Sequence, residues 1–361
     1  MIRIMAPDLP HPSGGIKVIY RYVEHLVALG HEASVWHGTP DFRYAGWSSS
    51  APVETGRSLA FAPGDVLVMP ETGGGKWSFL NPGTPTVMLC QGMDFVFADA
   101  SFAQDVGGDY PGWPQATCVL GVSDAIVTFL EHACAPGFPI HHVPVEIESW
   151  FVPRPKERRI ALMPRRRRED LLGAVQLIRR SGRLRDWEIV LIDGMSQTQV
   201  AEELGRSAIF LFGAEREGLG LPGAEAMAAG CHVIGFTGDG AKEYLRPDTG
   251  TVILDSDVVG MCDATLAAMD EFEQDPTGWQ ERVDRGRALV GERYSPVAVR
   301  GALESAFATI TAEGSPSLIS GHVTLDHYMA HGPRGGRAGA AYVGARKLAR
   351  RGINSIRGAG G

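Results

Sequence analysis

Two glutamates, Glu217 and Glu225, stand eight positions apart in GAEREGLGLPGAEAMAAGCHVIGF, residues 213–236. The apolar run 208–212 before them reads as a buried strand. After Leu221 a helix pattern follows through Ala226, Met227 and Ala229, then Gly230 as a stop and a second apolar strand, 232–236. Glu217 therefore falls on a strand-to-helix loop and Glu225 about one turn inside the helix. Glycines in that loop leave backbone N–H groups bare, and the helix start adds the positive end of its dipole. Such a place suits an anion, a diphosphate above all. The flanking carboxylates suit sugar and ribose hydroxyls, because one carboxylate accepts two hydroxyl hydrogen bonds. Two glutamates at this spacing alone would read more readily as solvated side chains; the residues between them point to a ligand.

The elements that position these groups repeat one plan. Residues 2–6 form an apolar strand, Gly14 and Gly15 open a helix with a stripe of Ile16, Ile19, Tyr20, Val23, Leu26 and Val27, and residues 32–37 form the next strand. This is a Rossmann-like unit without the full G-x-G-x-x-G of a nicotinamide site. Further strands are expected at 65–69, 86–90 and 117–122, with Ser123 capping a helix over 125–132. Residues 39–58 and 71–84 read as loops. Later strands are expected at 158–163, 187–193 and 250–254, and helices at 169–180, 257–273, 277–292 and 296–311. Four arginines, Arg165 to Arg168, follow the strand at 158–163, where α/β sheets bind ligands; a solvated basic turn is the other reading.

With 361 residues, 44% apolar and 21% charged, the chain has room for two domains. A net charge of −8, without aromatic residues among basic clusters, argues against nucleic acid. The cysteines at 90, 118, 134, 231 and 262 show no paired spacing and read as buried free thiols in a reducing cytosol. His132 with Cys134, or His141 with His142, gathers no four-ligand set, so no metal is expected. MIRIMAPDLP reads as a strand, and no run reaches the ~18 apolar residues of a spanning helix. The expected location is the cytoplasm, peripheral to the inner face of the membrane at most.

The stretch EGLGLPGAE resembles the donor-site signature of retaining GT-B glycosyltransferases, especially glycosyltransferase family 4. The tail E-A-M-A-x-G-x-x-V-I at 225–234 and GDGAKE at 238–243 fit the same pattern. PSGGI is similar to the Gly-Gly that this family sets beside the donor phosphates. QGMDFVF from Gln91 and MPRRRR at 163–168 are similar to stretches of the rhamnosyltransferase branch that builds cell-surface glycans. The resemblance covers about residues 1–312. It implies an α/β GT-B fold, two Rossmann-like domains facing each other across a cleft: 1–150 on the acceptor side, 151–312 on the nucleotide-sugar side with a helix crossing back.

It further implies transfer of a hexosyl unit from a nucleotide diphosphate sugar to a glycan or lipid-linked acceptor, with retention and no divalent metal or other cofactor. Glu217 would hold the donor sugar and Glu225 the ribose. Gly14, Gly15, Gly220 and Leu221 would offer N–H groups to the phosphates, with Arg165 and Arg166 as the cations. Gln91 would touch the sugar or acceptor, or else cap its own loop. Residues 313–361 read as a basic glycine-rich tail: from His327 onward there are seven Lys or Arg, nine Gly and no acid. A short helix at 342–356 would touch an anionic membrane surface; a solvated, largely disordered tail is the other reading. The readings that compete are another GT-B enzyme (an epimerase or phosphorylase), a non-catalytic subunit binding a sugar nucleotide, and a membrane-surface adaptor.

Overall fold

The computed structural model describes residues 1–9, 13–45, 48–56, 58–71, 85–97, 100–103, 105–313 and 322–324. Apolar runs buried on both faces become parallel strands, because helices cover each sheet on two sides. The first sheet takes β1 (Ile2–Met5), β2 (Ala33–His37), β3 (Val53–Thr55), β5 (Val66–Pro70), β6 (Thr86–Cys90), β7 (Ala116–Gly121) and β8 (Ile140–His142). Its order is β3-β2-β1-β5-β6-β7-β8, parallel throughout. The order reverses between β1 and β5, and α1 (Gly14–Ala28) and α2 (Asp124–Ala133) follow β1 and β7. Ser123 caps α2 by accepting from the amide of Ile126.

The second sheet is also parallel, in the order β10-β9-β11-β12-β13. Its strands are β9 (Glu157–Leu162), β10 (Glu188–Leu191), β11 (Ser207–Gly213), β12 (His232–Phe236) and β13 (Thr251–Val252). The helices around it are α3 (Arg168–Arg180), α4 (Gln197–Arg206), α5 (Leu221–Ala228), α6 (Val258–Gln274) and α7 (Pro276–Arg293). All seven residues of β11 are buried, because helices cover both faces of the sheet at this central strand. The last long helix, α8 (Pro296–Glu313), returns to the first sheet's side. There its Val299, Leu303 and Phe307 share a core with Val23 and Leu26 of α1.

Several elements differ from the sequence expectation. β3 falls inside the stretch read as loop, because three residues at a sheet edge carry too little pattern to stand out. α4 was not anticipated, although Ser196 and Gln199 form a capping box at its start. Val27 was placed on the buried stripe of α1 but is 42% exposed near the helix end. β14 (His322–Thr324), within the expected tail, pairs antiparallel with β4 (Ser58–Ala60). The helix expected at 342–356 and most of the 71–84 loop lie outside the described residues.

Candidate active site between the two sheets

In open parallel sheets a crevice opens beyond the carboxyl ends of the strands, where the strand order reverses. In the second sheet that point lies between β9 and β11. The loop after β9 carries Arg165 and Arg166, and the loop after β11 carries Glu217. Arg166 Nε stands 3.5 Å from Glu217 Oε1, and the arginine is 58% exposed. That pair is screened and yields readily to a ligand. The other oxygen, Glu217 Oε2, is buried and has no hydrogen-bond partner. Burial raises the Glu217 carboxyl above its ordinary range, while Arg166 and Arg165 pull it back.

Arg167 is committed elsewhere. It adopts the left-handed conformation at the N-cap of α3, lies over the Phe236 ring, and pairs with Asp255 at 2.5 Å and Asp170 at 3.3 Å. Arg165 and Arg166 are exposed in the crevice, which separates them from this third arginine.

The start of α5 is shaped by glycines. Gly220 caps the helix in the left-handed region at φ 83°, where a side chain is strained, and Pro222 sits in the first turn. Tyr244, wholly buried, donates its hydroxyl to the Gly220 carbonyl at 2.6 Å. Gly223 makes room for that hydroxyl, since a Cβ there would lie 2.4 Å from it. The N-terminal amides of α5 thus face the crevice from a fixed turn. One turn on, Glu225 is half-buried and its carboxyl also raised, chiefly by desolvation; Lys17 acts against the shift and Glu148 with it.

The first sheet closes the other side. A Cβ on Gly14 would meet Leu221 Cδ1 at 3.0 Å, and one on Gly15 would meet Gln91 Oε1 at 3.4 Å. Gln91 Nε2 donates to the Gly15 carbonyl at 3.2 Å, so this side chain braces its own loop against the start of α1. A Cβ on Gly218 would fall 2.1 Å from the Gln91 carbonyl oxygen, so the two halves touch backbone to backbone. Glu243, in the GDGAKE run, accepts from the Asp124 amide at 2.7 Å and from the Tyr294 hydroxyl. Arg293 pairs with Asp124 at 2.6 Å. Glu217, Glu225, Gly220, Leu221, Arg165, Arg166, Gly14, Gly15 and Gln91 therefore surround one cleft.

Three residues of this neighbourhood carry no sequence signal that local patterns reveal. Lys17 and Tyr244 are polar groups made interior by distant elements. Glu71, at the carboxyl end of β5, is buried with Oε2 unpartnered; burial pushes its carboxyl up to about 8, although the amides of Gln91 and Gly92 donate to it. Among the described residues no group of His, Cys, Asp and Glu could hold a metal ion, and no helix is long and apolar enough to cross a membrane. All five cysteines are buried and free. A separate cavity of about 430 Å³, lined by Thr117, Pro136 and Ile310 among others, opens at the amino ends of the first sheet's strands, away from this cleft.

Two parallel sheets facing across a cleft, with a final helix packed on the opposite half, superpose on solved structures over most of their length. Sucrose-phosphate synthase from Thermosynechococcus elongatus matches with a TM-score of 0.61 at 15% identity, over 86% of this chain and 99% of that one. Anabaena HepE, solved in complex with UDP and glucose, matches with a TM-score of 0.59 at 12% identity, over 85% and 99%. The fold is GT-B, that of two-domain glycosyltransferases.

Within the GT-B chain, residues 187–284 match the family described as "Glycosyl transferases group 1". That segment holds Glu217, Glu225, Tyr244 and Glu243, while Arg165, Arg166 and the whole first sheet lie outside it. A curated relative, the alpha-1,6-glucosyltransferase of Actinobacillus pleuropneumoniae serotype 7 (strain AP76), is 32% identical over 168 residues, 43% of this chain. The chain spans about half, 49%, of that relative's length.

Proposed function

We propose that this chain is a retaining glycosyltransferase that moves a hexosyl unit from a nucleotide diphosphate sugar to a glycan or lipid-linked acceptor. Residues 1–150 form the acceptor side and 151–312 the donor side of the cleft. The observation that carries the reading is the unpartnered, buried Oε2 of Glu217, set between two exposed arginines and the start of α5. A buried acceptor atom is costly to leave unpaired, and a sugar hydroxyl satisfies it. Arg165 and Arg166 hold the diphosphate as it leaves, and the amides of Gly220 and Leu221, with Gly14 and Gly15 opposite, complete its cradle. Glu225 takes the ribose.

Retention without a nucleophile in line suggests displacement on one face, with the leaving phosphate taking the acceptor proton. The two arginines supply the charge that a divalent metal supplies in other transferases. Lys156 donates to the carbonyls of Leu204 and Ala229, which leaves it no part in phosphorylase chemistry. The curated relative's name favours glucose as the sugar; the stretches at Gln91 and Arg165 favour rhamnose on a thymidine carrier. The product in either case fits a cell-surface polysaccharide made on the cytoplasmic face of the membrane, where the basic tail would meet anionic lipid.

The experiment is a thermal-shift panel of thymidine, uridine, guanosine and adenosine diphosphates and their sugars, without added metal, followed by turnover of Glu217→Gln. A ligand that binds only the folded state raises the melting temperature. One base should shift it selectively, and the variant should keep its fold and lose transfer. No shift with any nucleotide would favour a non-catalytic subunit or a membrane adaptor, and full activity of Glu217→Gln would sink the donor-site assignment. Removing residues 327–361 should leave turnover on a soluble acceptor intact and reduce only recruitment to anionic vesicles.

A further inference from the structure

Lys17 follows the Gly14–Gly15 pair on α1 and is only 6% exposed. A lysine so buried needs counter-charges. It has two, from elements far apart in sequence. Nζ stands 3.1 Å from Glu148, in the segment joining the two sheets, and 3.8 Å from Oε1 of Glu225 on α5. Both contacts are ion pairs, and the second is too long for a hydrogen bond. The Trp150 ring lies 5.6 Å from the ammonium.

The two carboxylates depend on Lys17 unequally. Arg21 holds Glu148 through both oxygens, at 2.9 Å each, so Glu148 stays compensated without the lysine. For Glu225, Lys17 is the one cation within ion-pair distance among the described residues. The charge that faces the donor-side carboxylate therefore comes from the acceptor-side half of the molecule.

We infer that Lys17 is a positioning residue: it holds Glu225 from across the cleft in the place where that carboxylate accepts the ribose hydroxyls of the nucleotide donor. The inference rests on the donor-site reading given under the proposed function. It adds that ribose recognition requires the two halves to be apposed, because its counter-ion sits on the opposite half. Glu225 is faced by Lys17 from α1, Glu148 from the joining segment, Arg165 from the loop after β9, and Tyr244 from the turn after β12. Of these, Lys17 opposes the effect of burial most strongly. Without it the carboxyl holds its proton to higher pH and loses an acceptor oxygen.

The test is calorimetric affinity for the nucleoside diphosphate that the panel selects, and for its analogue lacking ribose hydroxyls, with wild type, Lys17→Met and Lys17→Arg. Lys17→Met should weaken the hydroxylated ligand about tenfold, the scale of one charge-assisted hydrogen bond. The acid limb of binding should move to higher pH. The analogue should bind both proteins alike, and Lys17→Arg should restore most of the affinity. If Lys17→Met fails to fold, Lys17→Gln keeps a donor for Glu148 without the charge. Equal loss for both ligands, or no loss for either, overturns the inference while the donor site stands. No binding of any nucleoside diphosphate to the wild type overturns the donor site and the inference with it.

Discussion

The hydroxyl of Tyr244 reaches the carbonyl of Gly220 at 2.6 Å, so a residue from the turn after β12 fixes the first turn of α5. Burial raises the phenol well above its ordinary value, so it stays a donor. Tyr244→Phe should leave that carbonyl unpaired and cost about 1–2 kcal/mol, read as a lowered denaturation midpoint. Donor affinity should fall with it, because the amides of the helix start lose their brace. A variant with unchanged stability and affinity would mean that the glycine turn holds its shape alone.

Gly218 meets the Gln91 carbonyl so closely that any Cβ collides with backbone. Gly218→Ala should push the halves apart and lower kcat/KM by about 10- to 100-fold, since displacements near 1 Å have that effect on aligned groups. Denaturation should change far less. Steady-state kinetics beside a melting curve separate the two, and retention of full kcat/KM would show that the contact yields freely.

The neighbouring arginines should separate by phenotype. Arg165→Ala with Arg166→Ala should weaken nucleoside diphosphate binding about a hundredfold, two sets of charge-assisted hydrogen bonds, and flatten its salt dependence. Arg167→Ala should spare affinity and cost no more than about 1 kcal/mol of stability, because its partner Asp255 is exposed and screened. Titrations at two ionic strengths and a urea curve for each variant decide it. The reverse pattern would move the phosphate clamp to Arg167.

Glu71 sets a pH dependence of stability. Its folded carboxyl releases its proton near 8, against an ordinary value of 4.5. As pH rises through that window the unfolded chain loses the proton first, so the stability this group contributes is present below the lower value and lost on approach to the upper one. The slope reaches at most about 1.4 kcal/mol per pH unit. Glu71→Gln removes the titration, so the variant should lose less stability than wild type between about pH 5 and 8. Parallel curves for the two proteins would contradict the raised value.

The loop around Glu217 was legible because its signal is local. Glycines, a proline and two glutamates within nine residues fix a turn, a helix start and the places of Glu217 and Glu225. The long strands were legible because both their faces are buried, which leaves unbroken apolar runs. Lys17 was not legible: in sequence it is a charged residue on a helix with an apolar stripe, and it is interior only because the joining segment and α5 close over it. Glu71 and Tyr244 are hidden for the same reason, since burial by distant elements leaves no mark on nearest neighbours. The role of Gln91 was half legible. Its type fitted a loop cap or a sugar contact, and in the structure Nε2 donates to the Gly15 carbonyl on the start of α1, a partner that local sequence does not reveal.

Glu243 lies in the second sheet's half, yet its carboxylate takes up the free amide at the first residue of α2 in the other half. Tyr294 and Arg293 join the same cluster. One half thus completes a helix end that belongs to the other. The consequence is for recombination between relatives. A chimera cut in the joining segment inherits Asp124 from one parent and Glu243, Arg293 and Tyr294 from the other, and the four must travel as a set. Swapping halves to change acceptor or donor therefore requires this seam to be matched before any residue of the cleft is altered.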